Sequence, residues 1–333
     1  MPKNADFRRV VVLGGGAWGT ALALVAARAG REAIVWARDA ATIKAINETG
    51  TNPRYLPDIT FQGEITATDD DGFVTEADIV IASIPAQAMR GVLTELSDRI
   101  APGTPVVSAA KGLERGSQAT MTEVIADCVP HARAAILSGP SFASDVARGL
   151  PTALTIAAEG AELADQLAQA LASPTFRPYA STDVIGVELG GALKNVIAIA
   201  AGIVAGAQLG ASAQAALIAR GFAEMARLAG KLGAQPATLM GLSGLGDLVL
   251  STGSTQSRNF ALGFAIGAGK TATNGQPGGK LAEGAFTAGV AIELAAKHGL
   301  DLPVSHAVAD VLAGRLDVPG AVEQLMTRPL KPE

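Results

Sequence analysis

With 333 residues, 49% of them hydrophobic and 17% charged, the chain has room for two domains and is too apolar for any sizeable disordered region. A net charge of -5 and a sequence pI near 5.4 exclude the broad cationic face that a nucleic-acid or polybasic membrane surface requires, yet permit a local positive cluster for a small anion. The single cysteine, Cys128, excludes an intrachain disulfide, and three scattered histidines give no metal-ligand spacing. Residues 1–6 lack an apolar signal-peptide core, so the expected location is cytoplasmic.

Residues 9–13 are a β-branched apolar run that predicts a strand. Gly14, Gly16 and Gly19 follow in the G-x-G-x-x-G spacing. The first glycine allows a sharp turn, the second lets backbone approach a pyrophosphate, and the third permits close packing of helix on strand. Glycine supplies 39 of the 333 residues, so the spacing gains its weight from context. A strand precedes it, a helix over 21–29 capped by Gly30 follows, and a second strand at 33–36 completes a βαβ unit. The phosphates of NAD or NADP would then lie on the free N–H groups of the helix that opens around Ala17 and Trp18.

The second strand ends at Trp36, which places Arg38 and Asp39 at the adenosine ribose. An acidic residue there favours the 2′-hydroxyl of NAD, and an arginine the 2′-phosphate of NADP. The sequence offers both, and Asp39 also suits the N-cap of a helix starting at Ala40. Further strands are predicted at 65–68, 78–82, 105–108, 134–137 and 152–157, with a helix over 161–171. Small-residue loops end several of them: Ser83-Ile84-Pro85, Ala109-Ala110-Lys111-Gly112 and Ser138-Gly139-Pro140-Ser141-Phe142-Ala143. The pattern is that of a doubly wound sheet with its loops on one edge.

Prolines in 173–178 mark a boundary, giving domains at 1–180 and 181–333, the second all-helical. Residues 196–219 carry no charge and are long enough to span a bilayer. Their Ala and Gly content, with Gln208, Ser212 and Gln214, instead predicts buried helices broken at 206–210, and no integral membrane segment. Lys194 and Asn195 stand at the head of this run. Desolvation there lowers a lysine pKa, and Glu188 would oppose the shift by pairing with it. Lys111 and Lys194 are the only lysines between Lys44 and Lys231, and a carbonyl-reducing enzyme needs a cation to polarise the oxygen and a donor to protonate it. Asp247 falls in a glycine-rich turn, where it would orient a hydroxyl or a lysine. Ser257, Arg258 and Asn259 open a helix and combine guanidinium, amide and backbone N–H in a phosphate-binding arrangement. A last helix begins around Leu281 to Thr287 and ends at Gly299.

These blocks, in this order, resemble the bacterial NAD(P)-dependent sn-glycerol-3-phosphate dehydrogenases: Gly14 to Ala21, Lys111-Gly112-Leu113-Glu114, Ser138 to Ala143, Glu188 to Asn195, Gly244 to Leu248 and Ser257-Arg258-Asn259. The resemblance implies an α/β Rossmann-type domain followed by an all-α domain, the active site between them, and reversible reduction of dihydroxyacetone phosphate, a small phosphorylated substrate, for phospholipid synthesis. It implies that Lys194 is the proton donor and acceptor, and that Lys111 touches both substrate and cofactor. Gly139, Ser141, Asn195, Asp247, Ser257, Arg258 and Asn259 fall on substrate positions. Ala143, Arg258, Leu281 and Glu283 fall on cofactor positions. A homodimer is the assembly the resemblance suggests. Ala17 departs from the serine common in the family and removes one hydroxyl near the pyrophosphate. Asp39 stands where many members carry a basic or polar residue.

Overall fold

The computed structural model describes residues 7–270 and 282–329. Two compact units divide the chain: residues up to 110 together with 119–188, and residues 111–118 together with 189 onward.

The first unit is built on ten strands: β1 (Arg9–Leu13), β2 (Glu32–Trp36), β3 (Thr51–Asn52), β4 (Leu56–Thr60), β5 (Ile65–Thr68), β6 (Ile79–Ala82), β7 (Pro105–Ser108), β8 (Arg133–Ser138), β9 (Thr152–Ala158) and β10 (Phe176–Ser181). Eight form one sheet in the order β10-β9-β8-β7-β6-β1-β2-β5, while β3 and β4 make a separate antiparallel pair. Within the sheet only the β8–β9 pairing is antiparallel. Continuous apolar runs serve strands buried on both faces. Val10 and Val12 point to the side covered by helix α1 (Ala17–Arg28) and by the Ala161–Leu171 helix. Val11 and Leu13 point to the side covered by the Ala86–Leu96 and Met121–Cys128 helices. This is the doubly wound sheet expected from the sequence, and strand order reverses at β1, between β2 and β6.

One local expectation changes. Strand β10 starts inside the 173–178 segment, at Phe176, and pairs parallel with β9 at the sheet edge. Pro178 is tolerated because its missing N–H falls on an edge strand. Helix α1 begins at Ala17, directly after Gly16 as N-cap, beside the expected opening near Trp18.

The second unit is helical. Its central helix, Val184–Gly206, which belongs to this unit from Leu189 onward, has an apolar window that is 89% buried and reads as a core helix despite its membrane-spanning length. Gln208 and Gly210, both at positive φ, make the break before the Ala211–Lys231 helix. The central helix meets the Arg258–Gly267 helix backbone to backbone. A Cβ on Gly202 or Gly206 would lie 2.2 or 2.1 Å from the carbonyl oxygens of Phe260 and Phe264. One on Gly263 or Gly267 would lie 2.0 or 2.2 Å from those of Ile199 and Ile203. Four glycines, spaced by four on each helix, thus set the helix separation.

Candidate functional site

In the first unit the glycine turn has the shape a dinucleotide needs. Gly14 sits at φ +116, and a Cβ there would come 2.5 Å from the Ser83 carbonyl oxygen on the neighbouring β6 loop. A Cβ on Gly19 would come 1.9 Å from the Gly14 oxygen, so the turn and helix close only on glycine. Gly16, by contrast, faces open space, with no atom within 4 Å of a built Cβ. No side chain caps α1, which leaves its first N–H groups to a ligand. The Trp18 indole Nε1 is buried with no hydrogen-bond partner. An uncapped helix N-terminus and a turn that closes only on glycine both fit a bound pyrophosphate.

Around this turn three segments lock together. A Cβ on Gly15 would stand 2.9 Å from Ala37 Cβ and 3.2 Å from Thr42 Cγ2. The buried Asn52 donates from Nδ2 to the Gly15 carbonyl and to Thr20 Oγ1, both at 2.9 Å. Asp39 caps helix α2 (Ala40–Thr49): its Oδ2 accepts from Thr42 N at 3.1 Å and from the Thr42 hydroxyl. The same oxygen lies 3.4 Å from Arg54 Nη1. The hydroxyl bond from Thr42, then its backbone N–H and the Arg54 charge, hold the Asp39 carboxyl below the usual carboxylate range. Arg38 is exposed. At the end of β8 the Ser138 Oγ is buried without a partner, Gly139 is at φ +152, and Ser141 Oγ donates to the Gly139 carbonyl at 3.1 Å. Ala143 opens the short Ala143–Ala147 helix.

In the second unit two lysines share one carboxylate. Lys111 Nζ lies 2.7 Å from Asp247 Oδ2, and Lys194 Nζ lies 3.1 Å from Asp247 Oδ1. Lys194 also donates to Ser251 Oγ at 2.6 Å. Asp247 is not in a loose turn: residues Leu242–Gly246 form a π-helical turn that runs into the Asp247–Thr252 helix, so Ser251 follows Asp247 by one helical turn. Burial is the main force on Lys194, lowering its pKa to about 8; Asp247 pulls upward and Lys111 pushes down again. The three groups carry a net charge of +1 in a largely buried site, which suits an anion or a developing alkoxide. The expected partner of Lys194, Glu188, is engaged elsewhere. It accepts from Thr122 N at 2.8 Å and from Thr122 Oγ1 at 2.7 Å, at the N-terminus of the Met121–Cys128 helix.

A chain of amides runs beside the lysines. Asn195 Nδ2 donates to the Lys111 carbonyl at 2.9 Å, Asn259 Nδ2 to Asn195 Oδ1 at 2.9 Å, and Gly284 N to Asn259 Oδ1 at 3.0 Å. Glu283 Oε2 accepts from Lys111 N at 3.2 Å, closing the circuit. Ser257 is the N-cap of the Arg258–Gly267 helix, accepting from Phe260 N at 3.3 Å, and Arg258 stands exposed on its first turn. Leu281 lies outside the described residues.

The predicted residues thus gather in two groups. Gly14, Gly16, Ala17, Trp18, Gly19, Arg38, Gly139, Ser141 and Ala143 belong to the first unit. Lys111, Lys194, Asn195, Asp247, Ser257, Arg258, Asn259 and Glu283 belong to the second. Sequence reasoning overlooked Ser251 and Asn52. Ser251 is legible only if Asp247 is read as helical, since then it stands four residues along the same face. Asn52 carries no local signal, because its role depends on a strand pair the sequence does not announce.

Comparison with known proteins places these features in a lineage. Residues 9–164 match the N-terminal family profile of NAD-dependent glycerol-3-phosphate dehydrogenase, and residues 183–323 match the C-terminal profile. The chain is 58% identical over 327 residues to a glycerol-3-phosphate dehydrogenase [NAD(P)+] of Bradyrhizobium diazoefficiens, covering 98% of this chain and 99% of the relative. A Brucella canis protein of the same name is 54% identical, with coverage of 98% and 99%. The crystal structure of glycerol-3-phosphate dehydrogenase from Coxiella burnetii superposes with a TM-score of 0.91 at 37% identity, covering 97% of this chain and 99% of that one. With both profiles matched across nearly its whole length and the glycine cradle and paired lysines in place, the chain belongs to the NAD-dependent glycerol-3-phosphate dehydrogenase family.

Proposed function

We propose that the protein interconverts dihydroxyacetone phosphate and sn-glycerol 3-phosphate with NAD(P)H, supplying glycerol 3-phosphate for phospholipid synthesis. The observation that carries this reading is the Lys111–Asp247–Lys194 arrangement, a buried ammonium of lowered pKa with a second cation beside it. A nicotinamide held by the glycine cradle would provide hydride chemistry at C2 of the substrate. As the carbonyl electron pair moves onto oxygen, Lys194 gives that oxygen a proton and becomes a neutral amine; in the reverse direction it takes the proton back. Its two partners, Asp247 and Ser251, leave one of its three N–H donors for the substrate. Lys111 adds positive charge against the developing alkoxide, and Asp247 fixes both ammonium groups.

Arg258 and the N–H groups at the start of its helix anchor the substrate phosphate, with Ser257 and Asn259 shaping that turn. Gly139 and Ser141 complete the substrate contacts. The cradle of Gly14, Gly16, Ala17, Trp18 and Gly19 takes the pyrophosphate, with Arg38, Ala143, Leu281 and Glu283 as further cofactor contacts. The low cysteine content suits a cytoplasmic enzyme, and the family resemblance suggests a homodimer.

An absorbance assay at the nicotinamide band, with dihydroxyacetone phosphate and NADH or NADPH supplied separately, tests the reading. Oxidation with at least one cofactor is expected, and its absence with both refutes the proposal. Lys194→Ala is expected to keep cofactor affinity and lose about 100-fold or more in turnover. Near-normal turnover would remove Lys194 from the proton-transfer step.

A further inference from the structure

We propose that Arg54 is a specificity-determining residue for the cofactor. Held on Asp39 and acting with Arg38, it reads a phosphate on the 2′ position of the adenosine ribose. The inference rests on the dinucleotide reading of the first unit and names what that site selects.

The placement comes from packing around the glycine turn. In a βαβ nucleotide site the adenosine ribose lies at the end of the second strand. Here that strand ends at Trp36, and the residues after it, Ala37 to Thr42, abut Gly15 directly. Asn52 ties the β3–β4 excursion to the carbonyl of the same glycine, so Arg54, two residues further on, is delivered to the mouth of the cradle. It is held there from two sides. Asp39 Oδ2 lies 3.4 Å from its Nη1, and the Tyr55 ring centroid lies 5.2 Å from its Cζ. The side chain is still 65% exposed, so its remaining donors face solvent.

Charge and hydrogen bonding assign the roles. The carboxylate oxygen Oδ2 of Asp39 already serves Thr42 N, the Thr42 hydroxyl and Arg54. Asp39 is therefore a cap for α2 and an anchor for Arg54, with only Oδ1 left to face a ribose hydroxyl. Arg38, Asp39 and Arg54 together leave one net positive charge beside the cradle, and two guanidinium groups match a dianionic phosphate. An unphosphorylated ribose has nothing for Arg54 to grip. The two cofactors should accordingly depend on this residue to different extents.

The test is isothermal titration of the full-length protein with NADP+, NAD+ and 2′,5′-ADP at fixed ionic strength, for the wild type, Arg54→Ala and Arg54→Lys. Arg54→Ala is expected to weaken NADP+ and 2′,5′-ADP by about tenfold or more and NAD+ by less than about twofold, with lysine intermediate. Equal losses for NADP+ and NAD+, unchanged NADP+ affinity, or no binding of 2′,5′-ADP by the wild type would each overturn the proposal. Because 2′,5′-ADP carries no nicotinamide, its affinity is independent of turnover. A protein that shows the expected affinity pattern but does not oxidise NADPH with dihydroxyacetone phosphate would refute the proposed reaction and leave the role of Arg54 standing.

Discussion

Lys194 shows how far a single residue's environment decides its chemistry. An ordinary lysine stays protonated to about pH 10.4, too high for proton exchange near neutrality. Burial brings this one to about 8, and Asp247 keeps it from falling further. Carbonyl reduction needs the ammonium form, so kcat in that direction should decline as pH rises through about 8, and glycerol 3-phosphate oxidation should rise over the same range. Asp247→Asn removes the charge that raises the lysine pKa. Its alkaline limb should therefore move to lower pH in a pH–rate profile, in addition to any loss of rate, and an unmoved limb would deny Asp247 this role. The two isolated lysines were legible in the sequence because apolar residues surround them. Asp247 was readable as a residue that orients a hydroxyl or a lysine, but not as the partner of both lysines, because that depends on side-chain direction; Glu188, nearer in sequence to Lys194, instead accepts from Thr122.

At the level of elements, the strands and helices that carry strong periodicity fall close to their expected positions, as β1, β2, β6 and β7 do. Strand β10 hides behind Pro178, whose cost vanishes at an edge, and the short β3–β4 pair has too few residues for an alternation to register. The glycine pairs at 202/206 and 263/267 serve packing between two helices. Helix propensity marks glycine as a weakness of about 1 kcal/mol against alanine. Here it permits the contact that brings Asn195 and Asn259 within hydrogen-bond distance. Gly263→Ala must push Ile199 away, and it should lower the urea midpoint by an amount equivalent to about 1–3 kcal/mol. Gly289, in the Gly284–Lys297 helix, has nothing within 4 Å of a built Cβ, so Gly289→Ala should raise the midpoint by an amount equivalent to about 1 kcal/mol. Opposite signs for the same chemical change are the outcome to look for. Glu224 performs another service invisible in sequence, accepting from Val304 N, Ser305 N and the Ser305 hydroxyl to cap a helix that begins with no cap of its own.

For the molecule as a whole, Glu188 makes stability depend on pH in an unusual direction. Burial raises its pKa to about 7 from an ordinary 4.5. The native state thus holds a proton that the unfolded chain has released between those values. Its contribution is fully present below about pH 4.5 and is lost as pH rises through about 7, a change of about 3 kcal/mol. The Thr122 hydroxyl suits both forms, donating to the carboxylate or accepting from the acid. Glu188→Gln should remove this slope, so that its urea midpoint varies less between pH 5 and pH 8 than that of the wild type. Composition suggested two domains and the prolines at 173–178 a boundary at 180/181, while the two compact units of the packed chain change hands at 110/111, 118/119 and 188/189. Residues 111–118 leave the sheet after β7, and in the second unit Lys111 meets Asp247, Arg115 stacks its guanidinium on Phe286, and Gln118 donates to Glu293. A gene cut after codon 188 would therefore not separate two autonomous pieces. The first fragment would carry Lys111, Arg115 and Gln118 without the partners encoded beyond the cut, and the second would lack one of the two lysines that share Asp247.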